Sequence, residues 1–144
     1  MIIVDASAVI ATADRRDANG GAARAAMRAA REPLIIPAPV TAEIDYMLGQ
    51  RVGRNGRLGF LRDIVEGRFR VESLSQDEHA TVLGLEERYA ALNPGLADLS
   101  IVVLAARFKT RTILTFDERH FRVFEPLQGG RFTILPADTE TDDA

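Results

Sequence analysis

A three-layer α/β/α sandwich with a mostly parallel central sheet is the fold this sequence predicts, on three observations. Short β-branched and aliphatic runs, Met1 to Val4, Leu34 to Ile36 and Thr112 to Thr115, alternate with segments of helical period. Helix boundaries between them are marked by a Ser75/Glu78 capping box and by the stop Asn93-Pro94-Gly95. The 144 residues make one ordinary domain, and 47% hydrophobic against 27% charged residues is enough for a single core. Residues 1–137 read as that domain, and 138–144 as an acidic tail expected to be disordered.

Taken in order, Met1 to Val4 is a strand ending at Asp5, and Ser7 caps a helix from Ala8 to about Ala13. The polar stretches Asp14 to Asp17 and Asn19 to Gly21 precede an Ala-rich helix to about Arg31. Leu34 to Ile36 is a buried strand, stopped by Pro37 and Pro39. From Val40 a helical period runs to Val52, breaks at Gly53 to Gly56, and resumes through Leu58, Leu61, Ile64 and Val65 as a helical arm. Phe69 to Leu74 alternates like a strand, and the capped helix after it runs to about Ala91. A very apolar helix then spans Leu96 to Phe108, followed by strand Thr112 to Thr115, a polar loop Phe116 to His120, and a last strand near Phe132 to Leu135.

The net charge of −3 argues against a nucleic-acid partner, but the average misleads. Four of the 21 acids lie in the last seven residues, so residues 1 to 137 hold 17 acids against 18 bases, a net +1. The absence of cysteine excludes disulfides, thiolate catalysis and Cys-ligated zinc. No apolar run is long enough to span a membrane and no signal peptide opens the chain, so a cytoplasmic location is expected.

In a parallel α/β sheet, ligand-binding residues gather at the carboxyl ends of the strands. Asp5 ends the first strand, Glu43 is expected in the first turn after the second, Asp98 in the first turn after Gly95, and Asp117 just after Thr115. Spacings of 38, 55 and 19 residues mean that only the fold brings them together. A first-turn acid needs no chemistry to explain it, because the helix dipole favours it. Asp5 is different: an unpaired carboxylate at the end of a buried strand carries a heavy desolvation cost. Four gathered carboxylates repel one another, which points to a bound cation, and a set of oxygen donors suits Mg²⁺ or Mn²⁺.

Four segments carry a family resemblance: Ile3-Val4-Asp5-Ala6-Ser7-Ala8, Thr41-Ala42-Glu43-Ile44, Leu96-Ala97-Asp98-Leu99-Ser100-Ile101 and Leu114-Thr115-Phe116-Asp117-Glu118-Arg119-His120-Phe121. In order and rough spacing they resemble the acidic motifs of PIN-domain nucleases, and the short single domain resembles VapC toxins. The resemblance implies a PIN-like fold, Mg²⁺- or Mn²⁺-dependent endoribonuclease activity, a homodimer, and inhibition by a cognate VapB-like antitoxin. It makes Asp5 and Asp98 the main metal ligands, lets Glu43 complete the first site, and gives Asp117 a second ion or the attacking water. Ser7 and Thr115 match the family's hydroxyls and would orient carboxylates or metal-bound waters, although a helix cap and a strand end explain them equally well.

His120 reads as a local hydrogen-bonding residue, His79 as surface, Glu118 as solvated, and Asp45 as turned about 200° from Glu43 around its helix. Arg51, Arg54, Arg57 and Arg62 on the arm have two readings, contacts to RNA phosphates or a solvated face. Two other classes remain as alternatives. A phosphoaspartate receiver domain needs an adjacent acidic pair after the first strand, where Asp5 stands alone. A noncatalytic PIN-like RNA-binding scaffold would have no use for four mutually repelling acids.

Overall fold

The computed structural model describes residues 1–139. Five strands, β1 (Ile2–Val4), β2 (Leu34–Pro37), β3 (Arg70–Glu72), β4 (Thr112–Leu114) and β5 (Thr133–Leu135), form one sheet in the order β3-β2-β1-β4-β5. Every pairing is parallel, with Ile3 of β1 opposite both Ile35 and Ile113. Consecutive residues in the central strands are equally buried: Ile3 and Val4, Ile35 and Ile36, and Ile113 and Leu114 are at most 1% exposed. Successive side chains point to opposite faces, so both faces of the sheet are covered.

Seven helices do the covering: α1 (Ala6–Ala13), α2 (Gly20–Ala29), α3 (Ala38–Arg51), α4 (Arg54–Val65), α5 (Gln76–Arg88), α6 (Leu96–Arg107) and α7 (Glu118–Phe121). The α6 helix is the most enclosed, with Leu99 to Ala105 buried without a break, as its apolar sequence requires. It packs on α3 and α5 and against β1 and β2. The α1–α2 approach depends on Gly20, where a Cβ would come within 2.9 Å of the Ala11 carbonyl oxygen.

The chain moves from β1 through β2 to β3 on one side, then returns past β1 to place β4 and β5 on the other. The reversal falls between β1 and β4, where the helices leave in opposite directions and a crevice opens at the carboxyl ends. Asp5 and Thr115 immediately follow these two strands.

Local boundaries differ from the sequence expectation in four places. Asp5, not Ser7, is the N-cap of α1, in an extended conformation (φ −87°, ψ 158°). The strand β2 runs through Pro37, and α3 starts at Ala38 with Pro39 inside its first turn, where a missing N–H costs nothing. Glu43 therefore lies in the second turn of α3 and not the first. The break in the arm narrows to Val52 and Gly53 (φ 96°), so Gly56 is helical. The loop after β4 contains the single turn α7. The Ser75/Glu78 capping box is present with both of its reciprocal bonds.

Of the acidic segment 138–144, Asp138 accepts from the Ile134 amide and pairs with Arg122. Residues 140–144 lie outside the described residues. Among the described residues no helix is long and apolar enough to cross a membrane.

Candidate active site

The crevice between β1 and β4 holds a cavity of about 200 Å³ lined by Asp5, Ser7, Glu43, Asp98 and Asp117, with Arg51 as its one basic residue. All four sequence-predicted acids thus border one space, supplied by β1, α3, α6 and the turn after β4.

Asp5 is 6% exposed and occupies an N-cap position, where an Asp side chain ordinarily accepts the N–H of N2 or N3. Here it caps nothing. Oδ2 instead accepts the Ser7 hydroxyl at 2.9 Å and the Thr115 hydroxyl at 2.8 Å. Both hydroxyls in turn accept backbone N–H groups, Ser7 from Phe116 and Thr115 from Asp117, each at 2.9 Å. The two hydroxyl protons are committed to one oxygen, so Oδ1 of Asp5 is left for a ligand. Ser7 and Thr115 orient Asp5 in this structure and also tie the β4–α7 turn to α1.

Asp98, in the first turn of α6, has a side chain 17% exposed. Burial, reinforced by the charge of Asp5, pushes its carboxyl up to about 6, against the opposing hydrogen bond from His120. Glu43 is raised as well, by desolvation first and then by the charges of Asp5, Asp98 and Asp117. No Arg or Lys forms an ion pair with any of these four acids among the described residues, while thirteen ion pairs form elsewhere or through His120.

His120 departs from its sequence reading. Its Nδ1 lies 2.7 Å from Asp98 Oδ2, a partner 22 residues away, and 3.6 Å from Asp117 Oδ2. Ligand atoms of Asp98, Asp117 and His120 all fall within 4.8 Å of one another. A ring nitrogen thus stands beside Asp98 and Asp117, where the sequence reading has carboxylates alone. The available signal was the i, i+3 spacing from Asp117 to His120, which becomes spatial proximity only once α7 forms. The other tempting residues stay outside: Asp45 pairs with Arg57 at 2.9 Å, Glu118 with Arg122, and exposed His79 faces the Ser75 carbonyl.

With this geometry in view, the PIN domain matches residues 2–125 of the chain. The chain belongs to the PIN domain family. Ribonuclease VapC26 of Mycobacterium tuberculosis (strain ATCC 25618 / H37Rv) is 35% identical over 135 residues, which cover 94% of this chain and 100% of that relative, so this PIN domain is of the VapC type. Among solved structures, M. tuberculosis VapC20, a toxin that cleaves the sarcin–ricin loop, aligns with a TM-score of 0.77 at 18% identity over 83% of this chain and 92% of that one. A toxin–antitoxin complex from Klebsiella pneumoniae aligns with a TM-score of 0.63 at 17% identity, over 86% and 92%. At these identities the two structures establish a common PIN fold.

Does the cavity suit the divalent metal of PIN nucleases? Its donors are mainly carboxylate oxygens, the donors that hard cations take. Asp98 and Glu43 hold their protons more tightly than isolated acids, and neutralising charge would relieve that strain. The residues present fit the group.

Proposed function

We propose that this protein is a divalent-metal-dependent endoribonuclease acting as the toxin of a toxin–antitoxin pair. The observation that carries this reading is the convergence of Asp5, Glu43, Asp98 and Asp117 on one cavity, with no Arg or Lys among the described residues paired to them. Asp5 and Asp98 would hold Mg²⁺ or Mn²⁺, with Glu43 completing the site and Asp117 serving a second ion or the attacking water. The bound cation would polarise a phosphoryl oxygen and lower the pKa of a water for in-line attack.

The chain's own residues prepare that chemistry. Ser7 and Thr115 fix one oxygen of Asp5 and leave the other toward the cavity. His120 engages one oxygen of Asp98 in the same way. The surrounding low-dielectric walls of β1, α1 and α6 strengthen each carboxylate's hold on positive charge. Substrate must bring its own negative phosphates past these acids, and Arg51 at the cavity wall is placed to receive one. Of the four arm arginines, Arg51 lines this cavity and the other three do not, Arg57 being paired with Asp45.

A VapB-like antitoxin and a homodimeric state belong to the same reading. Tyr46, Leu61 and Val65, exposed on the arm of α3 and α4, offer apolar surface for an antitoxin segment, and an Arg inserted among the acids would replace the cation. The decisive experiment is incubation of the purified protein with single-stranded RNA, with Mg²⁺, Mn²⁺ or EDTA. Cleavage with either ion and none in EDTA is expected. Equal cleavage in EDTA, or none with either metal, would reject the reading.

A further inference from the structure

His120 holds a place in the site that four acids alone do not explain. Nδ1 lies within reach of two carboxylates from different elements, Asp98 on α6 and Asp117 at the start of α7. The side chain is only 18% exposed, and its ring rests on Phe124 at a centroid distance of 5.8 Å. Phe124 itself packs edge-on against Tyr89 and Phe121. The backbone is fixed too, since the His120 carbonyl accepts from both Val123 and Phe124. The imidazole is thus aimed by the core and not by the acids it meets.

An ionised carboxylate can only accept, so the nitrogen facing Asp98 carries the proton. A ring N–H donated from there orients the acid through one hydrogen bond, where a Lys or Arg would place an ammonium or guanidinium in the cation's place. We propose that His120 is a positioning residue of the nuclease centre, whose Nδ1–H holds Asp98 in its working orientation and tethers α6 to the turn that carries Asp117. This rests on the metal-dependent ribonuclease reading above. Groups that orient metal-binding side chains in this way are worth roughly 10- to 100-fold in metal affinity or activity.

Two substitutions separate the donor from the ring. His120→Asn keeps an N–H near the place of Nδ1 and loses the ring packed on Phe124; His120→Phe keeps a ring and loses the donor. With Mn²⁺ alone as probe, calorimetric titration of the purified protein should show His120→Phe weakened roughly 10- to 100-fold and His120→Asn within a few-fold of wild type. Melting temperatures should rank the two variants in the opposite order. RNA cleavage at limiting Mn²⁺ should follow the affinities, and excess Mn²⁺ should restore much of it in His120→Phe. If Mn²⁺ affinity instead follows the melting temperature, His120 is a packing residue only and the proposal fails. A strong ¹⁴N coupling in the electron paramagnetic resonance of the wild-type Mn²⁺ complex, lost in both variants, would also overturn it, by making His120 a direct ligand. If Mn²⁺ binding depends on the donor as stated but wild type cleaves no RNA, the positioning role stands and the ribonuclease reading falls.

Discussion

Glu78 and Asp98 are both acids in the first turn of a helix, and the fold treats them in opposite ways. Glu78 receives the Arg107 guanidinium and the Ser75 amide, which hold its carboxyl below the usual range. Asp98 is half-buried beside Asp5 and Asp117 with an imidazole to steady it, and rises to about 6. The same contrast separates Asp138, lowered by Arg122, from Glu43, raised by burial and then by its acidic neighbours. Helix position is therefore silent about role; the partner decides. Where this arginine-rich chain closes an acid with a guanidinium, the acid serves stability. At the crevice between β1 and β4 it withholds that partner, and in the proposed reading the open charge serves a cation.

The contrast breaks most visibly in catalysis. Asp98→Asn or Asp5→Asn should lower RNA cleavage by on the order of 10²- to 10³-fold or more, the scale for losing a group that stabilises transition-state charge. Single-turnover assays at saturating Mg²⁺ measure this, and wild-type rates in either variant would dissolve the distinction. Next come the hydroxyls that aim Asp5. Thr115→Val and Ser7→Ala should each weaken Mn²⁺ binding and cleavage roughly 10- to 100-fold, read by calorimetry and rate together.

The third effect is on stability, and its sign is opposite to that of catalysis. The Asp98 carboxyl is raised in the fold from an ordinary 3.8 to about 6, so its ionised form costs the metal-free fold about 3 kcal/mol at neutral pH. The folded state binds the extra proton, so metal-free stability from this group rises as pH falls from 7 through 6 toward 4. Below about 4, protonation of Glu78 and Asp138, whose carboxyls are lowered, removes stability instead. Asp98→Asn should raise the metal-free melting temperature at pH 7 by roughly 6–12 °C and flatten the rise between pH 7 and 5. A lower melting temperature would mean that Asp98 is paired in a way its surroundings do not suggest.

Arg51→Gln should cost RNA affinity a few-fold in an Asp98→Asn background and reduce the salt dependence by about 0.7 in log–log slope, one phosphate contact on a single strand. Binding isotherms at several salt concentrations measure it, with Mn²⁺ affinity unchanged. The smallest effect belongs to the closed acids: Glu78→Gln should lower stability by about 1 kcal/mol through the lost cap, leaving cleavage at the wild-type rate.

Much of this was legible before any coordinates, because apolar runs and capping signals are local. All five strands and the arm stand where their sequences place them, and the cavity gathers the four acids that the order of elements predicts. The misses share a cause. Ser7 has the chemistry of a helix cap, but its hydroxyl is drawn off to Asp5, and Asp5 takes the cap position without capping. Pro39 looks like a barrier to the helix until the first turn makes its missing N–H harmless, which moves Glu43 on by a turn. His120 looked local because its long-range partner is set by the packing of Phe124 and by α6, neither of which is visible in spacing. Tertiary hydrogen bonds chose between local options that the sequence leaves equal in energy.

The middle strand of the sheet is β1, and that ties the site to a long-range closure. Half of the pairing of Ile2 to Val4 waits for β4, more than a hundred residues later in the chain. Until then Asp5 has neither the Thr115 hydroxyl at its side nor Asp117 across the crevice, and closing so long a loop is a late, entropically costly step. A folding chain can thus pair β1 with β2, and β2 with β3, while the edge that carries Thr115 and Asp117 is still incomplete. The four acids therefore border one cavity only after β4 has closed on β1, and a partly folded chain lacks the complete site.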